Sequence, residues 1–449
     1  MLSPCDSRYR NSRQKLLQLF LFILGLNCAP LWAGDGRLGL LESYTRALAY
    51  DATLAAAREK YLADQEGVAQ AEAHFFPEVG LTGNYTVADY EKTGVTSNPI
   101  ERRSLELNAT QMLFNQRISR SFDRAQRVVD VSELQLEGER QLLAQRVVES
   151  YLGVLLAERD LQLFEAETES YRFQWKKVSA ALEMGLANQA DVLDAKARND
   201  EGLSRVLIAK RELESQRFEL QRRIGNMPGA IKLKVLSEGT YKPGVFDSEQ
   251  WIPLVIKNNI PTRVAAGELS VSHEAIKVER AEHYPVLNLQ AGVAYADDDD
   301  PAAIQGRDAR LSLVLNVPLY RGGYTSSRVR QALAIQRQSE ERLREVSDDA
   351  ILQARQVLYA LETSQANIDV LRLALKAREK SLEAAEASRK VGLKDLSDVL
   401  DVQARLYQTR RELSRAVHDH LVSRVRLYVI AGLLTKDKLN ELDGVLIDR

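Results

Sequence analysis

Two carboxylates stand three residues apart in a run of sequence that the chain contains twice. Asp398 and Asp401 belong to VGLKDLSDVLDVQAR, at 391–405, and a spacing of three places both side chains on one face of a helix. Two exposed carboxylates on one face attract cations at close range. Two plainer interpretations stay open. Asp395 and Asp398 would only cap and charge the start of a helix, or Asp398 and Asp401 would form a solvated acidic stripe.

The earlier copy of this run, MGLANQADVLDAKAR at 184–198, shares eight of fifteen positions with the later copy at a constant offset of 207 residues. Asp191 and Asp194 stand at the positions of the later acidic pair. Gly185 and Gly392 are the second residues of the two runs, and each interrupts a long helical pattern, which is typical of a turn. The sequence therefore predicts a tandem duplication organised around two turns.

Other candidate sites lack the spacing that their chemistry needs. The acidic run at 297–300 lacks the spaced ligands of a calcium loop and predicts a solvated external loop. His418 and His420 are two residues apart on a predicted helix, so they diverge and make a poor metal pair. The sequence has no HExxH, GxSxG or Walker motif and no GxGxxG between a strand and a helix. We predict no enzyme, cofactor or metal site, and a net charge of -2 gives no reason to expect nucleic acid.

Long helices must position the two turns. No proline occurs between Pro99 and Pro228 or after Pro318, and the chain is rich in Ala, Leu, Glu, Arg and Gln, a composition that favours long helices. In the second tract, apolar residues recur at steps of three, four or seven, which is typical of a coiled-coil seam. We predict long helices over 115–183, 186–225, 321–390 and 393–432.

Each half of the chain also carries two segments in which apolar residues alternate with others, as they do in strands. The predicted β-hairpins lie at about 78–114 and 285–320, and each strand is about long enough to cross a membrane when tilted. The predicted fold is mainly α-helical with a small β-barrel part. Its predicted divisions are a first repeat over 34–227, a linker over 228–247, a second repeat over 248–432 and a polar C-terminal tail over 433–449.

The N-terminal segment 1–33 has the features of a secretory signal peptide. Basic residues precede an apolar core at 16–26, and Ala33 offers a small-residue cleavage point. The apolar core is too short to span a bilayer as a helix. A buried N-terminal helix and lipidation at Cys28 remain as alternatives. Cleavage after Ala33 would remove both cysteines of the chain, so the exported protein would depend on packing and assembly rather than on disulfides.

Four strands per chain cannot close a barrel, and an open sheet edge in hydrocarbon leaves backbone groups without hydrogen-bond partners. If the hairpins lie in a membrane, several chains must share one barrel. Two, three or four copies would supply an even number of strands within the range known for such barrels, and the long helices would continue the barrel as a wall on one side. The alternative is two surface ribbons on a soluble, helical periplasmic scaffold.

At 391–407 the sequence VGLKDLSDVLDVQARLY resembles the TolC-like outer-membrane factors, the exit ducts of Gram-negative efflux pumps and type I secretion systems. The matching run at the first turn extends the resemblance. So do the paired units in which Phe-Pro or Tyr-Pro precedes a strand, a loop and a second strand. The resemblance covers essentially the whole mature chain. It implies a homotrimer with a 12-stranded barrel in the outer membrane and an α-helical barrel through the periplasm, narrowing to an aperture that opens when partner proteins dock.

The resemblance also implies roles for individual residues. Asp398 and Asp401 match the paired acidic positions of the aperture, where three copies would form rings of carboxylates. Lys394 occupies the place of an arginine that latches to a neighbouring helix, and Asp191 matches its acidic partner. A Lys–Asp contact is weaker and less directional than a bidentate Arg pair. Arg389 stands where the family can have a latch tyrosine, which puts that second contact in doubt.

Gly185 and Gly392 match turn positions that face the tip of the periplasmic adaptor. We therefore predict a passive, homotrimeric exit duct for type I protein secretion in the outer membrane. It would work with a membrane-fusion adaptor and an inner-membrane ABC or other transporter, which would supply the energy, and outer-membrane lipid would surround its strands. The first alternative is a multidrug or toxic-compound efflux duct with the same geometry, and the second is the soluble periplasmic scaffold.

Overall fold

The computed structural model describes residues 37–88, 100–225, 232–233, 235–236, 241, 244, 246–298, 306–444 and 446–447. The predicted signal peptide with Cys28, most of the predicted linker and residues 299–300 of the acidic run lie outside the described residues. In chain order the elements are β1 (Arg37–Leu38), α1 (Leu40–Tyr50), α2 (Ala52–Ala73), β2 (Glu78–Ala88), β3 (Ile100–Asn115), α3 (Gln116–Glu183), α4 (Gln189–Ile224), β4 (Lys232–Leu233), β5 (Val235–Leu236), α5 (Ser248–Asn258), α6 (Ile260–Ala281), β6 (Val286–Asp298), β7 (Gly306–Asn316), α7 (Tyr324–Lys390), α8 (Leu396–Ile430), α9 (Lys436–Asp443) and β8 (Leu446–Ile447).

Two rods of nearly equal length dominate the fold. α3 has 68 residues and α7 has 67, so each runs about 100 Å at 1.5 Å per residue. α3 begins where the Asn115 side chain accepts hydrogen bonds from the backbone N–H groups of Arg117 and Ile118. The return helices α4 and α8 have 36 and 35 residues, so the two halves repeat the same long hairpin. None of the described helices is long and apolar enough to cross a membrane.

The helices form a wall of four columns. α4, α3, α8 and α7 pack side by side in that order, and α2, α3, α6 and α7 repeat the order toward the strands. The end of α8 meets the start of α6, because the Asn259 side-chain amide donates to the Ile430 carbonyl oxygen at 2.8 Å. Gly432 is required at this joint. Its φ is +65°, and a Cβ there would lie 2.2 Å from the Asn258 carbonyl oxygen.

The main core lies where α3 and α8 face each other. The buried apolar residues on each helix recur at steps of three or four, so they form one stripe along it. The central ones are Leu143, Val147, Tyr151 and Val154 on α3 and Val417, Leu421, Val425 and Tyr428 on α8. The Tyr151 hydroxyl donates to the Leu38 carbonyl oxygen at 2.8 Å, which ties the N-terminal strand β1 to this core. Removing each such side chain from water contributes about 1.5–3 kcal/mol.

The C-terminal segment, predicted as a polar tail, is folded against the rest of the chain. α9 buries Leu439 and Leu442 in the main core. The Asp443 carboxylate accepts a hydrogen bond from the backbone N–H of Leu40 at 2.9 Å, and the short strands β4 and β5 pair with β1 and β8. The linker between the repeats is therefore held to both ends of the described chain.

The four long strands form one antiparallel sheet in the order β2, β3, β6, β7, so the two predicted hairpins lie side by side. The register places apolar residues on a common face. Leu81 lies opposite Leu107, which lies opposite Val293. On the other side of β6, Leu289 lies opposite Leu313. β2 and β7 have no strand partner on their outer edges within the described chain.

The opposite face of this sheet is polar. Glu106 of β3 and Arg310 of β7 form an ion pair across the intervening strand β6. Gly292 of β6 lies beneath them, and a Cβ there would be 3.4 Å from the Arg310 guanidinium and 3.8 Å from the Glu106 carboxylate. Near the helical end of the sheet, a register shift between Met112 and Phe114 marks a β-bulge in β3. The sheet therefore has one face suited to lipid and one suited to water.

Candidate functional site: the two helical turns

The first turn closes α3 with two backbone hydrogen bonds. The Gly185 N–H donates to the Leu182 carbonyl oxygen at 2.9 Å, and the Leu186 N–H donates to the Ala181 carbonyl oxygen at 2.8 Å. This is the Schellman arrangement, which needs a left-handed residue, and Gly185 has φ +72°. The second turn repeats it at the end of α7.

In the second turn, the Gly392 N–H donates to the Arg389 carbonyl oxygen at 3.0 Å, and the Leu393 N–H donates to the Ser388 carbonyl oxygen at 2.9 Å. Gly392 has φ +78°. A Cβ on either turn glycine would meet no atom within 4 Å. Both glycines are therefore needed for backbone conformation and not for close packing, and the surface around them is open.

Both turns expose apolar side chains at the far end of the molecule from the sheet. Leu186 is 77% exposed and Leu393 is 79% exposed. Met184 and Val391, which precede the two glycines, are also exposed. Apolar side chains that are exposed together are typical of a contact surface, so the turns are candidate contact surfaces.

Each return helix begins with a side-chain cap. The Asn188 side-chain oxygen accepts from the backbone N–H of Asp191 at 2.7 Å. At the second turn the contacts are reciprocal. The Asp398 carboxylate accepts from the backbone N–H of Asp395 at 3.3 Å, and the Asp395 side chain accepts from the backbone N–H of Asp398. Asp191 and Asp398 are both third residues of their helices, where a carboxylate favours helix formation. Capping by Asp398 is compatible with an aperture role, since its carboxylate stays exposed.

Asp401 pairs with a residue from the other half of the chain. The Arg198 Nη2 of α4 lies 2.8 Å from the Asp401 Oδ1 of α8, so the two hairpins are joined close to their turns. Arg198 ends the first copy of the duplicated run, yet nothing in the sequence alone marks it as a partner of Asp401. Arg198 lies opposite Asp401 only because the helices pack in the order α4, α3, α8, which the sequence does not reveal.

The positions that the resemblance implies as a latch are not joined within the chain. In the part that the structure describes, Lys394 and Asp191 make no ion pair with each other. Lys394 is exposed and Asp191 is half-buried. The Lys394–Asp191 latch therefore stays a prediction.

A small apolar cluster lies directly behind the acidic residues. It contains buried residues from three helices: Tyr171 and Val178 of α3, Ala195 of α4, and Leu396 and Leu400 of α8. Leu400 is 0% exposed. Because the buried Leu400 directly precedes Asp401, packing in this cluster fixes the backbone that carries the acidic pair.

A buried carboxylate joins the same three helices farther from the turns. Glu167 of α3 is 1% exposed and accepts hydrogen bonds from the Tyr171 hydroxyl at 3.0 Å and from Arg411 Nη1 of α8 at 2.8 Å. Arg205 of α4 lies 3.9 Å away. Burial, with the adjacent Glu167 charge, raises the pKa of the Tyr171 hydroxyl well above its usual value. A buried carboxylate such as that of Glu167 is costly to leave unpaired, so its contacts fix the three helices relative to one another.

The two histidines diverge, as predicted. His420 is fully buried in α8, with Nδ1 2.8 Å from the Ser364 hydroxyl of α7, whereas His418 pairs with Asp419. Burial, together with the nearby Arg424 charge, lowers the pKa of His420 to about 4. Among the described residues, no group of three or more His, Cys, Asp and Glu side chains is arranged to hold a metal ion.

Known proteins are similar to this chain in both sequence and architecture. A family described as Outer membrane efflux protein matches residues 43–226 and 251–433, one match for each repeat. The chain belongs to that family. Outer membrane protein TolC of Vibrio cholerae is 27% identical over 448 residues, which cover 96% of this chain and 99% of the relative. Alkaline protease secretion protein AprF of Pseudomonas aeruginosa is 25% identical over 415 residues, which cover 90% of this chain and 86% of the relative.

The fold of this efflux-protein family member also matches solved structures. A crystal structure of CusC superposes with a TM-score of 0.79 at 19% identity and covers 88% of this chain and 92% of that one. The predicted resemblance and the predicted fold class are therefore confirmed. The chain is an outer-membrane channel protein that extends into the periplasm, and it is not an enzyme. The soluble-scaffold alternative is set aside by this assignment.

Proposed function

We propose that three copies of the chain form the exit duct of a tripartite type I protein secretion system. The observation that carries this proposal is the sheet with an apolar face and two outer edges that have no strand partner within the described chain. In a bilayer those edges need partners. Three copies, joined β7 to β2, would close a 12-stranded barrel.

The helical wall supports the same assembly. Its outer columns, α4 and α7, expose apolar side chains that the chain itself does not cover: Leu207, Ile208 and Phe218 on α4, and Tyr359, Val370 and Leu373 on α7. The inner columns α3 and α8 carry most of the buried residues. Neighbouring copies that meet along α4 and α7 would bury these side chains and continue the wall around a duct.

The turns would form the periplasmic end of this duct. Around a three-fold axis, Asp398 would become a ring of three carboxylates at the aperture, with Asp401 close by. Gly185 and Gly392, with the exposed leucines that follow them, would contact the adaptor. The Lys394–Asp191 latch would then form between neighbouring copies.

Protein secretion is proposed ahead of efflux because the name of the relative AprF describes secretion of a protease. The family name keeps efflux as the second candidate. Either way the duct would be passive, and an inner-membrane ABC or other transporter would supply the energy through the adaptor.

The test is the protein content of the culture medium of a deletion strain. Loss of one or a few secreted proteins, restored by the intact gene and not by a gene lacking the sheet, supports type I secretion. An unchanged medium together with increased drug accumulation in the cells would overturn it in favour of efflux.

A further inference from the structure

We infer that Arg198 makes the two acidic positions of the aperture unequal. It neutralises Asp401 and ties the two hairpins together, and it leaves Asp398 as the only ring that attracts cations. This inference rests on the proposed function, in which these residues line a three-fold aperture.

The contact between Arg198 and Asp401 is well defined. The two atoms lie 2.8 Å apart, with the arginine side chain 32% exposed and the aspartate side chain 50% exposed. Among the described residues it is the only ion pair between α4 and α8. A guanidinium at this distance cancels most of the field of a carboxylate beyond a few ångströms, because the two opposite charges form a dipole.

Packing holds both partners in place. Ala195, one helical turn before Arg198, and Leu400, which precedes Asp401, are buried in the same apolar cluster at 1% and 0% exposure. Exposed ion pairs gain little when two mobile side chains must first be ordered. Here the backbones are already fixed, so less order is lost when the pair forms.

Asp398 has a different environment. In the described structure its carboxylate accepts a hydrogen bond from the Asp395 backbone N–H at 3.3 Å, and no lysine or arginine lies within ion-pair distance of it. A backbone amide satisfies an oxygen without cancelling the charge. In a three-fold aperture the Asp398 level would therefore carry three net charges, while the Asp401 level would be close to neutral.

The duplication makes this asymmetry clear. The reciprocal pair would be Arg405 of α8 with Asp194 of α4, at the offset of 207 residues. No ion pair joins them in the part of the chain that the structure describes. The contact therefore runs one way only, from the first return helix to the second.

The experiment is ion conduction through purified protein in planar lipid bilayers. The readouts are the concentration of a trivalent ammine cation that halves the current, the cation selectivity from the reversal potential, and the open conductance. The variants are Asp398→Asn, Asp401→Asn and Arg198→Gln. Lys196→Gln is the matched control, because Lys196 is an exposed residue of the same helix without an ion pair in the described structure.

The inference predicts a separate result for each variant. Asp398→Asn should raise the half-blocking concentration about tenfold or more. Asp401→Asn should raise it several-fold, because it leaves the Arg198 charge unpaired, whereas the double variant Arg198→Gln with Asp401→Asn keeps the Asp401 level neutral and should stay within about twofold of the wild type. Arg198→Gln should lower it several-fold, because it uncovers a second ring. Lys196→Gln should behave like the wild type, and Arg198→Lys should restore most of the normal block.

The contact between the two hairpins should also affect the open conductance. Arg198→Gln and Asp401→Asn should each raise the open conductance, and the double variant should add little to either change, since one contact is lost in all three. Equal weakening of block by Asp398→Asn and Asp401→Asn, with no change in Arg198→Gln, would overturn the inference. No effect of Asp398→Asn on block would instead overturn the proposed aperture, so the two failures are distinguishable.

Discussion

The two helical hairpins have the same backbone and different surroundings. Both end in the same glycine turn, yet α8 buries 17 of its 35 residues whereas α4 buries 8 of its 36. The difference follows from the column order, because α8 lies between α3 and α7, whereas α4 packs mainly on α3 and touches α8 only slightly. Gene duplication has thus kept the turn, and position in the wall has decided which side chains beside it are constrained.

The largest expected difference between the two hairpins comes from a buried carboxylate that only the first hairpin contains. Glu167 has no equivalent in the second hairpin, where the position at the offset of 207 is Ala374. Glu167→Ala would leave Arg411 without its buried partner. We expect a loss of about 3–5 kcal/mol in the free energy of unfolding, measured by urea unfolding of the periplasmic helices.

The neighbouring variant Glu165→Gln is the control for this prediction. Glu165 is about half exposed and pairs with Lys210 at 3.6 Å, so its loss should cost less than about 1 kcal/mol. Equal losses for the two variants would mean that burial does not distinguish Glu167.

The second hairpin contains a buried histidine that the first hairpin lacks, and its contribution to stability depends on pH. His420 occupies the position of Leu213 in the first hairpin, and its pKa is lowered from 6.5 to about 4. As the pH falls, His420 therefore becomes protonated in the unfolded chain before it does in the folded protein. The stability that neutral His420 supports is fully present above pH 6.5 and is lost as the pH falls toward 4, by about 3 kcal/mol in all.

The measurement is the urea midpoint between pH 7 and pH 4.5, for the wild type and for His420→Leu. The variant copies the first hairpin, and its stability should fall less steeply with pH because that proton uptake is removed. Identical slopes would show that other groups carry the acid sensitivity.

The turns themselves should respond alike. Gly185→Ala and Gly392→Ala each force a side chain into a left-handed conformation with open space around it. We expect each to cost about 1–2 kcal/mol, seen as faster hydrogen exchange of the amides in that turn. A clear difference between the two would break the equivalence of the turns.

The smallest expected effect separates the caps. Asn188→Ala removes an acceptor at 2.7 Å from the Asp191 N–H and should cost about 1 kcal/mol. Asp398→Ala removes a longer contact, at 3.3 Å, so its effect on helix stability should be smaller. Exchange rates of the first-turn amides of α4 and α8 compare them directly.

Much of this architecture could be predicted from the sequence because it is periodic. The proline-free tracts, the alternating strands and the repeated glycines report local rules, and local rules survive duplication. Arg198 and Glu167 could not be predicted in this way. Their partners, Asp401 and Arg411, are more than 200 residues distant, and only the lateral order of the columns decides which helices touch.

The C-terminal segment shows a second limit. Its composition is polar, and the sequence predicts a tail, because only two of its positions, Leu439 and Leu442, carry the buried face of α9. Two buried positions three residues apart are too few to produce a visible helical period. The same is true of the two-residue strands that hold the linker.

The joint between α8 and α6 has a mechanical consequence. Two columns of the wall, α3 and α7, are single covalent rods, whereas this column is split at Gly432 and held there by side-chain and backbone hydrogen bonds. A split column bends at its joint before a continuous rod bends anywhere. In the proposed trimeric duct, displacement of the return helix at the aperture would therefore be absorbed halfway along the wall, and the strands in the membrane would remain still if the far end of the duct changed its diameter.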